Sequence, residues 1–271
     1  LKRIVKLFLF IIVIYLFLYI NNHWIVTTEH VYESEEVPEN FDGFRITQVS
    51  DLHDAVFGDN QQNLVKKVQK SNPDVIFITG DVIDSNRYDL EQSLDAVRQF
   101  VQIAEVYYVI GNHEVATNKV DEIYNVMEEM GVHVMANSSV TLKREEQSIS
   151  VAGIEDPLNG HDTQSMLNEA LSTVNPENLM ILLAHRPEQF TTYVENHIDL
   201  VFSGHAHGGQ VRIPGIGGLA APGQGFFPKY TAGTYEGGET VMNVSRGLGN
   251  SGFPFRIFNL PEIVVVELKS I

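Results

Sequence analysis

The chain has 271 residues, 44% hydrophobic and 20% charged, which excludes wholesale disorder and allows one large α/β domain or two small ones. A net charge of −17 excludes a general nucleic-acid-binding face, because such binding depends on Lys and Arg neutralising phosphates. Cysteine is absent, so disulfides and thiolate ligands are excluded, while the compartment stays open.

The first predicted element is a membrane segment. Leu7 to Ile20 is unbroken apolar sequence behind Lys2, Arg3 and Lys6. Extension through Ile4-Val5 and out to Trp24-Ile25-Val26 reaches the roughly 20 residues that cross a bilayer, with Trp24 at an interface position. A cleaved signal peptide has an apolar region of similar length, but no small-x-small site follows. Residues 1–26 are therefore expected to be an uncleaved anchor, and 27–43 (acidic and polar) a tether with at most one strand. The basic flank predicts a single pass through a bacterial cell membrane, N-terminus cytoplasmic and the remainder outside.

From Phe44 short apolar runs alternate with amphipathic stretches. Strands are expected at 44–50, 74–79, 106–110, 132–135, 148–153, 179–184 and 199–202, and helices at 61–71, 90–103, 120–130, 163–173 and 187–195. Asn72-Pro73 and Asn175-Pro176 are matching breaks. This alternation predicts mainly parallel strands with helical crossovers in a layered α/β domain over residues 44–271. Gly208 to Gly252 is rich in Gly and Pro, and strands at 239–245 and 262–268 point to a mixed or second sheet with long loops.

Five polar blocks end apolar runs: Asp51-Leu52-His53, Gly80-Asp81, Gly111-Asn112-His113-Glu114, His185 and Gly204-His205-Ala206-His207. Taken singly, most read as solvated loops, helix caps or structural histidines. In extended chain, residues i and i+2 point the same way, so Asp51 and His53 can reach one ion, and the two imidazoles His205 and His207, with glycines allowing close backbone approach, suit a metal edge. Glu114 reads only as a first-turn acid. Five strand ends all carrying hard or borderline ligands, where α/β proteins place their sites, indicate a two-metal hydrolase. Arg186 and Arg246 suit either a phosphate or ordinary ion pairs. Phe226 and Phe227, with Leu219 and Tyr230, either form an apolar lip beside the metals or pack under the glycine turns. His133, His161 and His197 are expected at the surface or at helix ends.

The order Asp-x-His, Gly-Asp-x-x-Asp, Gly-Asn-His-Glu, His, Gly-His-x-His resembles the calcineurin-like metallophosphoesterase superfamily over residues 44 to 268. The sequence Gly-His-Ala-His-Gly-Gly-Gln-Val-Arg-Ile-Pro, with Ser245-Arg246-Gly247-Leu248-Gly249, resembles its bacterial membrane-associated branch. Some members of that branch cleave the pyrophosphate of UDP-diacylglucosamine, and others are cell-envelope phosphodiesterases. The resemblance implies an α/β/β/α sandwich binding two divalent ions, Mn2+ foremost, with Fe, Zn, Co or Mg also compatible. It implies Asp51, His53, Asp81 and His207 at one ion, and Asp81, Asn112, His185 and His205 at the other. His113 would protonate the leaving oxygen or stabilise charge on the phosphoryl group, with Asp84 as the acid that orients it. The implied substrate is a phosphoester, lipid-linked or from the envelope. Alternatives are a broad phosphodiesterase or phosphatase on soluble or wall-polymer phosphates, and a metal-stabilised binding protein without turnover.

Overall fold

The structure, a computed structural model, describes residues 2–271. Its first half runs α1 (Lys2–His23), β1 (Val26–Ser34), β2 (Arg45–Val49), α2 (Gln62–Lys70), β3 (Val75–Thr79), α3 (Leu90–Ser93), α4 (Asp95–Phe100) and β4 (Glu105–Val109). Then come α5 (Asn112–Ala116), α6 (Val120–Glu129), β5 (His133–Val134), β6 (Ser138–Arg144), β7 (Gln147–Gly153), α7 (Thr163–Ala170), β8 (Met180–Leu183), α8 (Phe190–Glu195) and β9 (Leu200–Ser203). Two small hairpins follow, β10 (Arg212–Ile213) with β11 (Gly217–Gly218) and β12 (Ala220–Ala221) with β13 (Gly225–Phe226). The chain ends in β14 (Gly233–Gly237), β15 (Thr240–Val244) and β16 (Glu262–Ser270).

The strands build two mixed six-stranded sheets, in the orders β1-β16-β2-β3-β4-β5 and β14-β15-β9-β8-β7-β6. Their apolar runs alternate between two cores because successive strand side chains face opposite ways. Val75 and Phe77 enter the core between the sheets, together with Ile46, Leu183 and Phe202. Ile76 and Ile78 face outward to Leu64, Val68, Val97 and Met127, on α2, α4 and α6. On the second sheet, Leu182 and Val201 face Met166, Leu167, Phe190 and Tyr193 of α7 and α8. The layering is α/β/β/α, as the family resemblance implied.

Three expectations change. Residues 27–43 are not a tether: β1 pairs in parallel with β16 along its whole length, from Val26↔Glu262 to Ser34↔Ser270. Tyr32, Val37 and Phe41 lie in the core between the sheets, so the folded domain starts well before residue 44. The acidic residues misled because β1 is an edge strand, where charge on the solvent side is normal. Residues 138–144 also form a strand without having been expected to, hairpinned onto β7 through the register Arg144↔Gln147. The segment expected as one helix over 90–103 is two short helices, α3 and α4.

Among the described residues α1 is the one helix long and apolar enough to cross a membrane; most of its side chains are exposed, with Asn21 buried and Ile12, Phe17, Leu18 and Asn22 half-buried. The last turn is held to the folded domain through Asn21 and Asn22. The Asn22 Oδ1 accepts from the Arg256 backbone N–H at 3.0 Å and from Asn250 Nδ2 at 2.9 Å.

Candidate metal centre

The carboxyl ends of β2, β3 and β4 in one sheet and of β8 and β9 in the other converge at one edge of the sandwich. Backbone bonds join them: the Asp51 N–H donates to Gly80 O at 3.0 Å, His53 N–H to Asp81 O at 3.0 Å, and Gly204 N–H to His185 O at 3.1 Å. The turns are tight. Asp51, His53, Asp81, His205 and His207 all have left-handed backbone, with φ from 46° to 64°. Non-glycine residues hold that conformation only where surrounding contacts enforce it. Gly80, at φ 88°, shows how close the strands come, since a Cβ there would lie 2.6 Å from the Gly111 nitrogen and from His185 Nδ1.

The side chains form two groups sharing one residue. Asp51, His53, Asp81 and His207 each place a donor atom within 4.8 Å of the others, and so do Asp81, His185 and His205. All six are buried. His53 Nε2 faces His207 Nε2 at 3.1 Å and Asp81 Oδ2 at 3.5 Å, and His207 Nε2 lies 3.4 Å from Asp51 Oδ1. In the second group His185 Nε2 lies 3.3 Å from Asp81 Oδ2 and 3.1 Å from His205 Nδ1. Asn112 Oδ1 joins it, 3.3 Å from His185 Nε2. All seven residues expected as ligands therefore meet.

This donor set fits divalent cations. Burial holds His53 down at about 4 and keeps His205 and His207 well below the usual histidine range, so their lone pairs stay free for a ligand bond. Burial alone would raise Asp81, but the His185 charge and hydrogen bond, with His53, hold it well below the usual carboxylate range. Burial would lower His185, yet Asp81 lifts it to about 10, since two opposite charges packed together favour each other. Asp51 is pushed up to about 6 by burial, with Asp81 adding to the rise. Clustered carboxylates and imidazoles whose charges are set by one another are the electrostatics of a cation site.

Residues 44–209 match the family model described as calcineurin-like phosphoesterase. The chain belongs to the calcineurin-like phosphoesterase family. The metallophosphoesterase YkuE of Bacillus subtilis is 33% identical over 257 residues, covering 93% of this chain and 88% of YkuE. A transmembrane protein with metallophosphoesterase domain from Danio rerio is 32% identical over 251 residues, covering 87% of this chain and 55% of that protein. The crystal structure of the phosphopantetheinyl hydrolase PptH from Mycobacterium tuberculosis superimposes with a TM-score of 0.51 over 77% of this chain and 91% of that one. At 12% identity it shows a shared fold.

In this phosphoesterase His113 stands at the rim of the metal groups, its ring edge-on to His53 with centroids 4.5 Å apart. The Ser85 backbone N–H donates to His113 Nδ1 at 3.2 Å, which leaves the proton of the neutral ring on Nε2. Asp84 does not orient His113 by direct contact. Its Oδ1 is 3.7 Å from Nδ1, and the carboxylate is instead bound by Arg87 Nε at 2.9 Å and the Asn86 N–H at 2.9 Å. Ser85 sets the ring, through its N–H and a hydroxyl 3.1 Å from Nδ1. His113 Nε2 meets Ser251 Oγ at 3.0 Å.

Of the expected substrate contacts, both arginines are engaged by acids. Arg186 grips Asp156 through Nε at 2.6 Å and Nη2 at 3.0 Å, with Nη1 3.4 Å from His205 Nε2. Arg246 pairs with Glu262 at 2.5 Å. Phe226 and Phe227 do not pack under the glycine turns. They are 77% and 63% exposed on a loop tied to the two-histidine turn by the Leu219 N–H to Gly209 O bond at 3.2 Å. His133, His161 and His197 are exposed, as expected.

Several residues of the site left little trace in the sequence. Glu114 is fully buried and gathers four backbone N–H groups: Asp81 at 2.9 Å and Gly111 at 2.8 Å on Oε2, Val82 at 2.8 Å and Ile83 at 3.2 Å on Oε1. Its position three residues past the Gly111 N-cap was the available signal, being the acidic half of a capping box. Arg256 is fully buried, donates to Gly249 O from Nε at 3.1 Å and Nη2 at 2.6 Å, and brings Nη2 to 3.5 Å from His207 Nδ1. Burial lowers it to about 10. Asn259 Nδ2 holds His207 O at 2.7 Å. No spacing in the sequence singles out either residue, because both act through contacts far along the chain.

Proposed function

We propose that this protein is a dinuclear metal-dependent phosphoester hydrolase, of phosphodiesterase or pyrophosphatase type, working at a membrane on a lipid-linked or cell-envelope phosphoester. The observation that carries the hydrolase reading is Asp81 standing in both buried donor groups with His113 at their rim. Asp51, His53, Asp81 and His207 would hold one cation, and Asp81, Asn112, His185 and His205 the other. Two divalent cations, Mn2+ foremost, would supply Lewis-acid activation of water and charge neutralisation on the phosphoryl group. His113, with Nδ1 accepting from the Ser85 N–H, presents Nε2–H to donate a hydrogen bond to the phosphoryl or leaving oxygen and so stabilise the charge that develops there. Among the described residues α1 is the one helix apolar enough to span a bilayer, which supports the membrane reading, and the basic flank of Lys2, Arg3 and Lys6 favours a cytoplasmic N-terminus with the site outside. Phe226 and Phe227 are the side chains on the loop beside the two-histidine turn best suited to touch lipid.

The test uses the full chain with Mn2+ and bis(p-nitrophenyl) phosphate. Asp81→Asn should lose activity and bound metal together, read by elemental analysis. His113→Ala should keep its metal and lose about 10²–10⁴-fold in kcat. Absent turnover in the wild type, or equal turnover in all three, would exclude the hydrolase reading.

A further inference from the structure

The last turns of α1 stand against the catalytic domain without closing on it. The contact is made by Asn21 and Asn22, and by Phe17, whose ring meets Phe258 edge-on with centroids 5.1 Å apart. Beside this junction lies a groove of about 760 Å³, with Tyr15, Leu18 and Tyr19 on one wall and Val56, Phe57 and Phe255 on the other. That volume falls in the range of ligand clefts, about 300–1,000 Å³. Polar groups enter the lining at Asn22, His23 and Asn250 by the helix end and at Asp54 and Arg87 on the metal-site side. Asp54 follows the metal-site residue His53 in the chain, and the Arg87 guanidinium reaches Asp84 at 2.5 Å and the His53 carbonyl at 3.4 Å. In the other direction the groove is continuous with the exposed apolar side chains of α1, and Val56 and Phe255 are themselves 50% and 41% exposed.

We propose that this groove holds one hydrocarbon chain of a lipid-linked phosphoester whose phosphate lies at the metal centre. The proposal rests on the lipid-linked reading above and adds where the chain is bound. One wall belongs to the helix that is apolar enough to span a bilayer, so the groove opens toward hydrocarbon rather than toward water. The other wall supplies aromatic and aliphatic side chains that a soluble phosphoester would leave wet. Asp54 and Arg87 sit where the chain would join its headgroup, next to His53 and Asp84.

The experiment uses the full chain in lipid nanodiscs with Mn2+ and a series of alkyl p-nitrophenyl phosphates, methyl, butyl and octyl, which share one leaving group. In the wild type kcat/KM should rise at least about tenfold from methyl to octyl, modest beside the roughly fourfold per methylene of full burial from water. Leu18→Trp and Val56→Trp, which fill the groove and touch neither the metal site nor His113, should cut that rise to within twofold and leave methyl-ester turnover unchanged. A full rise retained in both variants would overturn the groove as the chain site and leave the lipid-linked reading standing. A wild type indifferent to chain length would overturn both.

Discussion

At the residue scale, the reactivity of the centre depends on residues that hold other residues. Glu114 is the clearest case, because its two oxygens take the N–H groups that shape the turn carrying Asp81. Glu114→Gln keeps the size but turns an amide NH2 toward two backbone donors. It should lower unfolding stability by at least about 2 kcal/mol and weaken metal binding, measured by urea melts and metal titration. Unchanged values would mean that the turn holds Asp81 without it. Asp54 gives a pH-dependent test. Burial lifts its carboxyl to about 6 despite the Ser93 hydroxyl that donates to it. Its folded value lies above the unfolded one, so the native state is penalised as pH climbs from about 4 through 6. In metal-stripped protein Asp54→Asn should match the wild type near pH 4 and be the more stable by about 1 kcal/mol at pH 8, after allowing for solvent screening. A difference constant with pH would show that burial is not what lifts this group.

At the element scale, strand-end placement was legible and local geometry was not. The argument that residues two apart point the same way holds for extended chain, yet Asp51, His53, His205 and His207 all take left-handed backbone. His205 and His207 accordingly diverge, one to each donor group. A sequence pattern reports which residues leave a strand, whereas the turn after it is set by what that turn packs against. Strand β1 makes the same point for pairing: its partner β16 lies at the far end of the chain. Removing residues 1–20 should therefore leave a folded domain, because Asn21 and everything after it remain. Removing residues 1–34 deletes β1 and the buried Ile25 and Tyr32 and should give aggregated or unfolded protein. Circular dichroism and size-exclusion elution distinguish the outcomes, and two equally folded truncations would restore the tether.

At the scale of the whole molecule, the apolar helix and the candidate metal centre share one end of the protein. Asn22 binds Arg256 and Asn250, Arg256 reaches His207, and Ser251 reaches His113, so a single loop connects the helix end to the metal edge. Trp24 follows α1 and is 64% exposed as the chain's one tryptophan. Aromatic residues at such positions lie at the headgroup level. In nanodiscs, Trp24 fluorescence should be quenched more by lipids brominated near the headgroup than by lipids brominated near the chain ends. Emission insensitive to both would remove the membrane from the picture.

The sequence by itself determined the layered α/β class, the apolar helix and the residues that form both donor groups, because periodicity, chain length and ligand chemistry are local properties. Only the tertiary structure decided that Ser85 rather than Asp84 sets His113, that Glu114 shapes the Asp81 turn and that the acidic stretch is a paired strand. It also brought the helix end to the active-site loop. Each of these depends on contacts between distant parts of the chain, which folding creates and linear spacing does not record.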